Sequence, residues 1–157
     1  MERISALTHV DMVEACYRSQ AARLWRAMVL FTGDREIASD AVSEAFAQVL
    51  RRGGAVRDLD AWVWRAAYKI AGGEMQRLRR HSPEVDRATE MPASLVDLVA
   101  ALRLLSPKQR GAVILHHYAG YSTKQTARIL GSTSSAVTVH LDRARRRLRE
   151  ALEESDA

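Results

Sequence analysis

The chain has 157 residues, of which 47% are apolar and 27% are charged, so it is long enough to bury a core and is neither disordered nor fibrous in composition. No apolar run approaches the roughly 20 residues of a membrane span, and the N-terminal segment carries acids where a signal peptide would be apolar. We therefore expect a cytoplasmic protein without membrane insertion, and the net charge of +5 suggests a polyanionic partner.

Apolar residues recur at spacings of three and four along most of the chain, and alternating β-branched runs are almost absent. This pattern predicts an all-α fold. Residues 82–94 contain two of the three prolines and no sustained periodicity, so we interpret them as a linker. The chain is thereby divided into two small helical domains, 1–81 and 95–157, which we expect to fold separately and to move independently.

The first domain is predicted to contain three helices. The first runs from about Thr8 to Phe31, and its period directs one set of side chains toward one side: Val10, Val13, Tyr17, Leu24, Met28 and Phe31. Asp34 is a good N-cap for the second, whose apolar residues fall on one face. The opposite face carries polar residues at every fourth position, which we name the acidic ridge: Glu36, Asp40, Glu44 and Gln48.

The third helix is predicted from about Asp58 to Arg80, after a loop that contains Gly53 and Gly54. Its inward residues are predicted to be Trp62, Ala66, Ala67 and Ile70. Gly72 and Gly73 each cost roughly 1 kcal/mol relative to Ala inside a helix, and the sequence leaves open whether they kink it.

The second domain contains three capping signals, at Ser94, Ser106 and Ser122, and each is followed three residues later by Asp or Gln. The helix that follows Ser106 is predicted to run to about Tyr118. The helix that follows Ser122 is short, Gly131 can make a left-handed turn, and Thr133 can cap a longer helix. Short helix, glycine turn and long helix predict a helix-turn-helix. Cys16, the single cysteine, is expected to be a buried thiol rather than a reactive one.

Three stretches, in this order and spacing, resemble a bacterial RNA polymerase sigma factor of the extracytoplasmic-function (ECF) type, in the sigma-70 family. They are TGDREIASDAVSEAFAQVL (32–50), DLDAWVWRAAYKIA (58–71) and LSPKQRGAVILHHYAGYSTKQTARILGSTSSAVTVHLDRARRRLRE (105–150). The resemblance implies an initiation factor whose first domain is similar to sigma region 2 and whose second is similar to sigma region 4.

For the partners, the resemblance implies core RNA polymerase, through the clamp helices of its largest subunit and the flap of its second-largest subunit, and promoter DNA. The acidic ridge matches the surface that docks on the clamp helices, and a row of carboxylates suits a basic protein surface better than DNA. An anti-sigma factor is a further candidate partner.

The resemblance also implies two DNA-binding surfaces. Residues carried over to the minus-ten element are Arg51, Arg52, Arg57, Trp64, Arg65 and Lys69. Trp64 is the candidate for an exposed ring there, and a second core tryptophan is the alternative that the sequence favours slightly. Those carried over to the minus-thirty-five element are Lys124, Thr133, Ser134, Ser135, Thr138, His140 and Arg143. Thr138 and His140 stand where cationic residues are common in the family.

Two alternatives remain from the sequence. One is a stand-alone helix-turn-helix transcriptional regulator, and the other is a sigma-like adaptor that lacks promoter recognition. We expect no enzyme, because the sequence has no phosphate-binding glycine loop and no HExxH motif. We also expect no metal and no cofactor, since the adjacent His116 and His117 point to different helix faces.

Overall fold

The computed structural model describes residues 2–81 and 93–156, with side chains from residue 8 onward. These ranges contain seven α-helices: α1 (Glu2–Thr32), α2 (Arg35–Arg52), α3 (Leu59–His81), α4 (Ala93–Arg103), α5 (Pro107–Val113), α6 (Thr123–Leu130) and α7 (Ser134–Asp156). A 3-10 turn at Gly53–Ala55 and a π-helical segment at Ile114–Tyr118 complete the elements, and the described ranges contain no strand. The all-α prediction is confirmed. None of these helices combines the length and the apolar character that crossing a membrane requires.

The second helix follows the sequence prediction closely. The Asp34 carboxylate caps it by accepting hydrogen bonds from the backbone N–H groups of Glu36 and Ile37 at 2.9 and 3.1 Å. Its buried residues are those predicted from the apolar period: Ile37, Ala38, Ala41, Val42, Ala45, Phe46 and Val49. They pack between α1 and α3, so the acidic ridge is directed away from the bundle.

The other two helices of the first domain differ in detail from their predictions. α1 begins before Thr8, and Tyr17 remains 53% exposed because it lies across the edge of Phe46, at 5.0 Å between ring centroids, rather than inside the core. α3 is continuous through Gly72 and Gly73.

The second domain contains the predicted helix-turn-helix. Ser106 and Ser122 each form a reciprocal capping box with the glutamine three residues later. Gly131 adopts the left-handed conformation at φ 66°, and Thr133 accepts a hydrogen bond from the Ala136 N–H at 3.1 Å.

In the second domain one capping prediction is wrong, and one helix reaches its predicted end at Tyr118 with a change of geometry. α4 already includes Ala93, so Ser94 lies inside the helix and does not cap it. The helix that starts at Pro107 changes to π geometry after Val113, where the Ala119 N–H donates to the Ile114 carbonyl five residues earlier. The predicted linker falls on residues outside the described ranges, apart from its last two.

The two domains do not have separate cores, which corrects the expectation from the sequence. One cluster of buried side chains runs from α1–α3 into the second domain, where it includes Val99, Leu102, Leu105, Ile114, Leu115, Ala119, Ile129 and Ala144. A smaller cluster inside the helix-turn-helix contains Ala112, Ala127, Val137 and Leu141. The domains are therefore docked through a buried apolar interface.

Candidate nucleic-acid and protein interfaces

The acidic ridge lies on the exposed face of α2. Glu36, Asp40 and Glu44 are exposed and Gln48 is half-buried. Arg51 donates a 2.9 Å hydrogen bond to Glu44, and Gln48 donates one at 3.2 Å. These two donors, Arg51 first, hold the pKa of Glu44 below its ordinary value, so this carboxylate is ionised at neutral pH. The ridge presents a row of negative charge to a partner.

Basic side chains follow the ridge at the end of α2 and in the next loop. Arg51, Arg52 and Arg57 are all exposed. Arg52 places its guanidinium over the ring of Trp62 at 5.8 Å from the centroid, a cation–π contact. Arg51 forms an ion pair with Glu44. Arg52 and Arg57 are exposed and form no ion pair with another described residue.

The two tryptophans of α3 differ in burial: Trp64 lies in the core, and Trp62 packs at its edge. Trp64 is completely buried, donates its indole N–H to Gln20 at 2.9 Å and packs edge-on against Tyr121 of the second domain. Its assignment as an exposed ring on DNA is therefore wrong. Trp62, expected to be inward, is only partly buried. Trp62 also shares a helix face with Arg65 and Lys69, three and seven residues later.

The cationic face of α3 is directed toward the helix-turn-helix. Arg65 and Lys69 are exposed, yet both line a cleft whose other wall comes from α5–α7. A methyl group added at Gly131, in the turn between α6 and α7, would lie 3.9 Å from an Arg65 Nη atom. The docked domains thus bring part of the predicted minus-ten surface next to the second domain.

The predicted minus-thirty-five residues divide between two faces of α7 and a neighbouring helix. Ser134, Ser135 and Thr138 are exposed on one side of the first turns, where the Thr138 hydroxyl donates to the Ser134 carbonyl at 3.0 Å. Thr133 is exposed and caps the helix, and Lys124 is exposed on α6.

His140 is separated from Thr138 by about 200° around the helix and lines the cleft toward α3. Arg143 is exposed near it. Burial, followed by the charges of Lys108 and Arg143, lowers the pKa of His140, so the imidazole is neutral at pH 7.5.

Sequence reasoning missed the polar residues that join the domains. Arg110 is 3% exposed and donates hydrogen bonds to the carbonyl oxygens of Phe31, Leu102 and Leu105. Arg23 donates to the Ala119 carbonyl and lies 5.9 Å from the Trp64 ring centroid. No local sequence pattern predicts either contact, because an arginine in a helix is ordinarily expected to be exposed to solvent.

No cluster of histidine, cysteine or acidic side chains within the described ranges is arranged to hold a metal ion. Cys16 is buried and donates its S–H to Asp60 at 3.1 Å. Burial and the Asp60 carboxylate raise the pKa of this thiol to about 12. The expectation of an unreactive buried thiol is consistent with that environment.

A family model for sigma-70, region 4, matches residues 95–148, which include the helix-turn-helix. The chain is 30% identical to the ECF RNA polymerase sigma factor SigL of Mycobacterium tuberculosis over 98% of this chain and 97% of SigL. It is 44% identical to the RNA polymerase sigma-E factor of Streptomyces avermitilis over 72 residues, a match that spans 46% of this chain and 40% of that relative.

Among solved structures, the fold is similar to the sigma factor RpoE from Bartonella quintana, crystallised with the anti-sigma factor NepR. The TM-score is 0.68 at 24% sequence identity, over 83% of this chain and 89% of RpoE. This likeness supports the architecture of two helical domains.

Proposed function

The chain belongs to the ECF sigma factors of RNA polymerase, in the sigma-70 family, and from this premise we propose that it binds core RNA polymerase and directs it to specific promoters. The observation that carries the proposal is that one chain joins an exposed acidic ridge to a helix-turn-helix whose first turns are exposed. A stand-alone regulator has no need of the ridge, and the family membership does not favour that alternative.

The ridge is proposed to dock on the clamp helices of the largest polymerase subunit. Three carboxylates at helical spacing would repel DNA phosphates, whereas they complement a basic protein surface and accelerate encounter with it. The second domain is proposed to contact the flap of the second-largest subunit. The buried face of α2 fixes the ridge in place, because its seven apolar residues leave only one face for polar side chains.

The minus-ten element is proposed to meet the face of α3 and the preceding loop. Arg52, Arg57, Arg65 and Lys69 supply positive charge for phosphates, and Trp62 replaces Trp64 as the ring near the separated strand. Stacking of a base on an aromatic ring is worth roughly 1 to 3 kcal/mol in single-strand binders.

The minus-thirty-five element is proposed to meet the first turns of α7. Ser134, Ser135 and Thr138 have short side chains that can reach base edges in the major groove, and Lys124 is proposed as a phosphate contact beside them. Arg143, on the side of α7 that carries His140, is proposed as a separate phosphate contact. His140 contributes little charge at neutral pH, since its pKa is lowered.

Reading both elements requires the two domains to separate. In the docked arrangement Arg65 and Lys69, which belong to the proposed minus-ten surface, line the cleft against the second domain. The docked arrangement is therefore proposed to be the form free of promoter DNA. An anti-sigma factor, such as the partner in the RpoE structure, is a candidate ligand of that form.

The test is copurification with core polymerase, followed by run-off transcription from a library of promoter fragments. A promoter-directing factor binds core enzyme and yields discrete transcripts that core enzyme alone does not produce. Binding without any transcript would indicate a sigma-like adaptor. Duplex binding to a palindrome without polymerase affinity would overturn the proposal in favour of a regulator.

A further inference from the structure

The interface between the domains encloses a cleft of about 340 Å³ that is not explained by sigma activity. One wall is formed by α3 and the other by the start of α5, the turn after α6 and the side of α7. Its polar lining consists of Arg65, Tyr68, Lys69, Lys108, Ser132 and His140. The apolar lining includes Phe31, Ile129 and Leu130. The volume lies at the lower end of the range for small-molecule sites.

The charged side chains that line this cleft are all positive. Arg65, Lys69 and Lys108 are cationic, and no acidic side chain lines the cleft. Within the described ranges, none of the three forms an ion pair. Docking the domains brings the α3 cations toward Lys108 of the second domain, which is unfavourable because like charges repel. An anion bound between these cations would attract all three and offset their mutual repulsion.

Tyr68 provides a second, independent observation. Its side chain lines the cleft and is 5% exposed, yet its hydroxyl is buried without a hydrogen-bond partner among the described residues. A buried hydroxyl without a partner is costly, so such groups are rare unless a ligand or water completes them. Burial raises the pKa of Tyr68 well above its ordinary value, so the phenol keeps its proton and is a donor.

We propose that this interdomain cleft binds a small phosphate-bearing anion of the nucleoside diphosphate class. Arg65, Lys69 and Lys108 pair with the phosphates, and the apolar wall at Pro107 and Leu130 receives the base. Because the Tyr68 hydroxyl is buried, the Tyr68 ring moves toward the cleft on binding so that the hydroxyl donates to a phosphate oxygen. The anion bridges both domains and stabilises their docked arrangement. Because Arg65 and Lys69 also belong to the proposed minus-ten surface, the bound anion excludes promoter DNA from them; this last step rests on the proposed function.

The test titrates the full chain with ADP and with inorganic pyrophosphate, at constant ionic strength in sodium chloride, by calorimetry and by thermal unfolding. Saturable binding and a ligand-dependent rise in melting temperature are expected for both probes, with ADP the tighter of the two. Lys108→Gln should weaken binding at least tenfold. Tyr68→Phe should weaken it about tenfold, while the unliganded variant is at least as stable as the original chain, because the orphaned hydroxyl is gone.

Arg149→Gln is the matched control, since Arg149 is an exposed cation of α7 outside the cleft. It should change binding by less than twofold. Equal losses in Arg149→Gln and Lys108→Gln would mean general screening of a basic protein and would overturn the proposal. The proposal is also overturned if neither probe binds below millimolar concentration. It is overturned as well if a duplex DNA fragment is the only ligand whose binding depends on Lys108. No polymerase is present, so a failure here leaves the run-off result unaffected.

Discussion

Nη1 of Arg110 donates a 2.8 Å hydrogen bond to the carbonyl oxygen of Phe31, joining the first turn of α5 to the end of α1 across 79 residues of sequence. The same guanidinium donates from Nε to Leu102 and from Nη2 to Leu105 at 2.9 and 3.1 Å. Burial, followed by the charges of Arg79 and Arg103, lowers the pKa of Arg110. Three carbonyl oxygens therefore stabilise this buried cation, and an arginine suits them because its donors form a rigid fork.

Arg110→Ala should lower the free energy of unfolding by about 3 kcal/mol, because it leaves buried carbonyl groups without donors. Arg110→Lys should be intermediate, since an ammonium group cannot reproduce the planar fork. Urea denaturation of the full chain measures both effects. Arg149→Ala, an exposed control on α7, should stay within about 0.5 kcal/mol of the original. If Arg110→Ala matched this control, the three hydrogen bonds would contribute nothing to stability.

Separating the domains should expose the shared core. A fragment of residues 93–157 loses the cover that α1 and α3 provide for Leu102, Leu105, Ile114 and Leu115. We expect this fragment to melt at lower temperature and with lower cooperativity than the full chain, whereas residues 1–81 keep the interior of their own bundle. Circular dichroism melts of the two fragments and the full chain test this. A fragment 93–157 that melts like the full chain would show that the helix-turn-helix cluster suffices.

Cys16 should resist alkylation in the folded protein. A pKa of about 12 leaves about one thiolate in ten thousand at pH 8, whereas an unfolded cysteine with a pKa near 8.5 is about one-quarter ionised. The rate of iodoacetamide labelling should therefore rise by about a thousandfold in urea. Asp60→Asn removes the carboxylate that accepts the thiol hydrogen bond, so it should accelerate native labelling. Equal rates in native and unfolded protein would contradict this environment.

Reversing the charge of the ridge should abolish binding to core polymerase. Asp40→Lys combined with Glu44→Lys places like charges against the proposed basic surface, while both positions are exposed and helicity should be preserved. Glu153→Lys with Glu154→Lys makes the same change in net charge at the exposed end of α7 and should retain binding. Affinity for core enzyme is the measurement. An unchanged affinity in the ridge variant would show that the exposed face of α2 does not contact core polymerase.

Stability should fall on mild acidification because two histidines bind protons less readily in the folded state. Burial, then the charges of His116 and Arg145, lowers the pKa of His117; burial, then Lys108 and Arg143, lowers that of His140. The unfolded chain protonates near pH 6.5, so stability is full above that value and declines as pH falls from 6.5 through the lowered pKa values.

Urea midpoints at pH 7.5 and pH 5.5 measure this decline. His117→Gln combined with His140→Gln should flatten it, because glutamine does not titrate. If the urea midpoint of this double variant fell as much as that of the original chain, groups other than these two histidines would be responsible.

Local sequence rules predicted the helix caps, the glycine turn and the buried face of α2. The N-cap at Asp34, the capping boxes at Ser106 and Ser122, and the left-handed Gly131 are confirmed, because each depends on backbone groups within about four residues. The apolar face of α2 is confirmed for the same reason: the 3.6-residue period places its buried side chains on one side. The sequence therefore determined the helices, the helix-turn-helix and the orientation of the acidic ridge.

The tertiary structure alone decided which polar and aromatic groups meet between the domains. Trp62 and Trp64 lie on roughly opposite faces of α3, and it is Trp64 that is buried, where its indole N–H donates to Gln20 and its ring packs against Tyr121, each more than 40 residues away. The resemblance predicts His140 on the DNA face with Thr138, yet it lies on the cleft side of α7. These outcomes depend on docking one domain against the other, and that docking joins groups such as Arg110 and Phe31 whose separation no periodicity within a helix encodes.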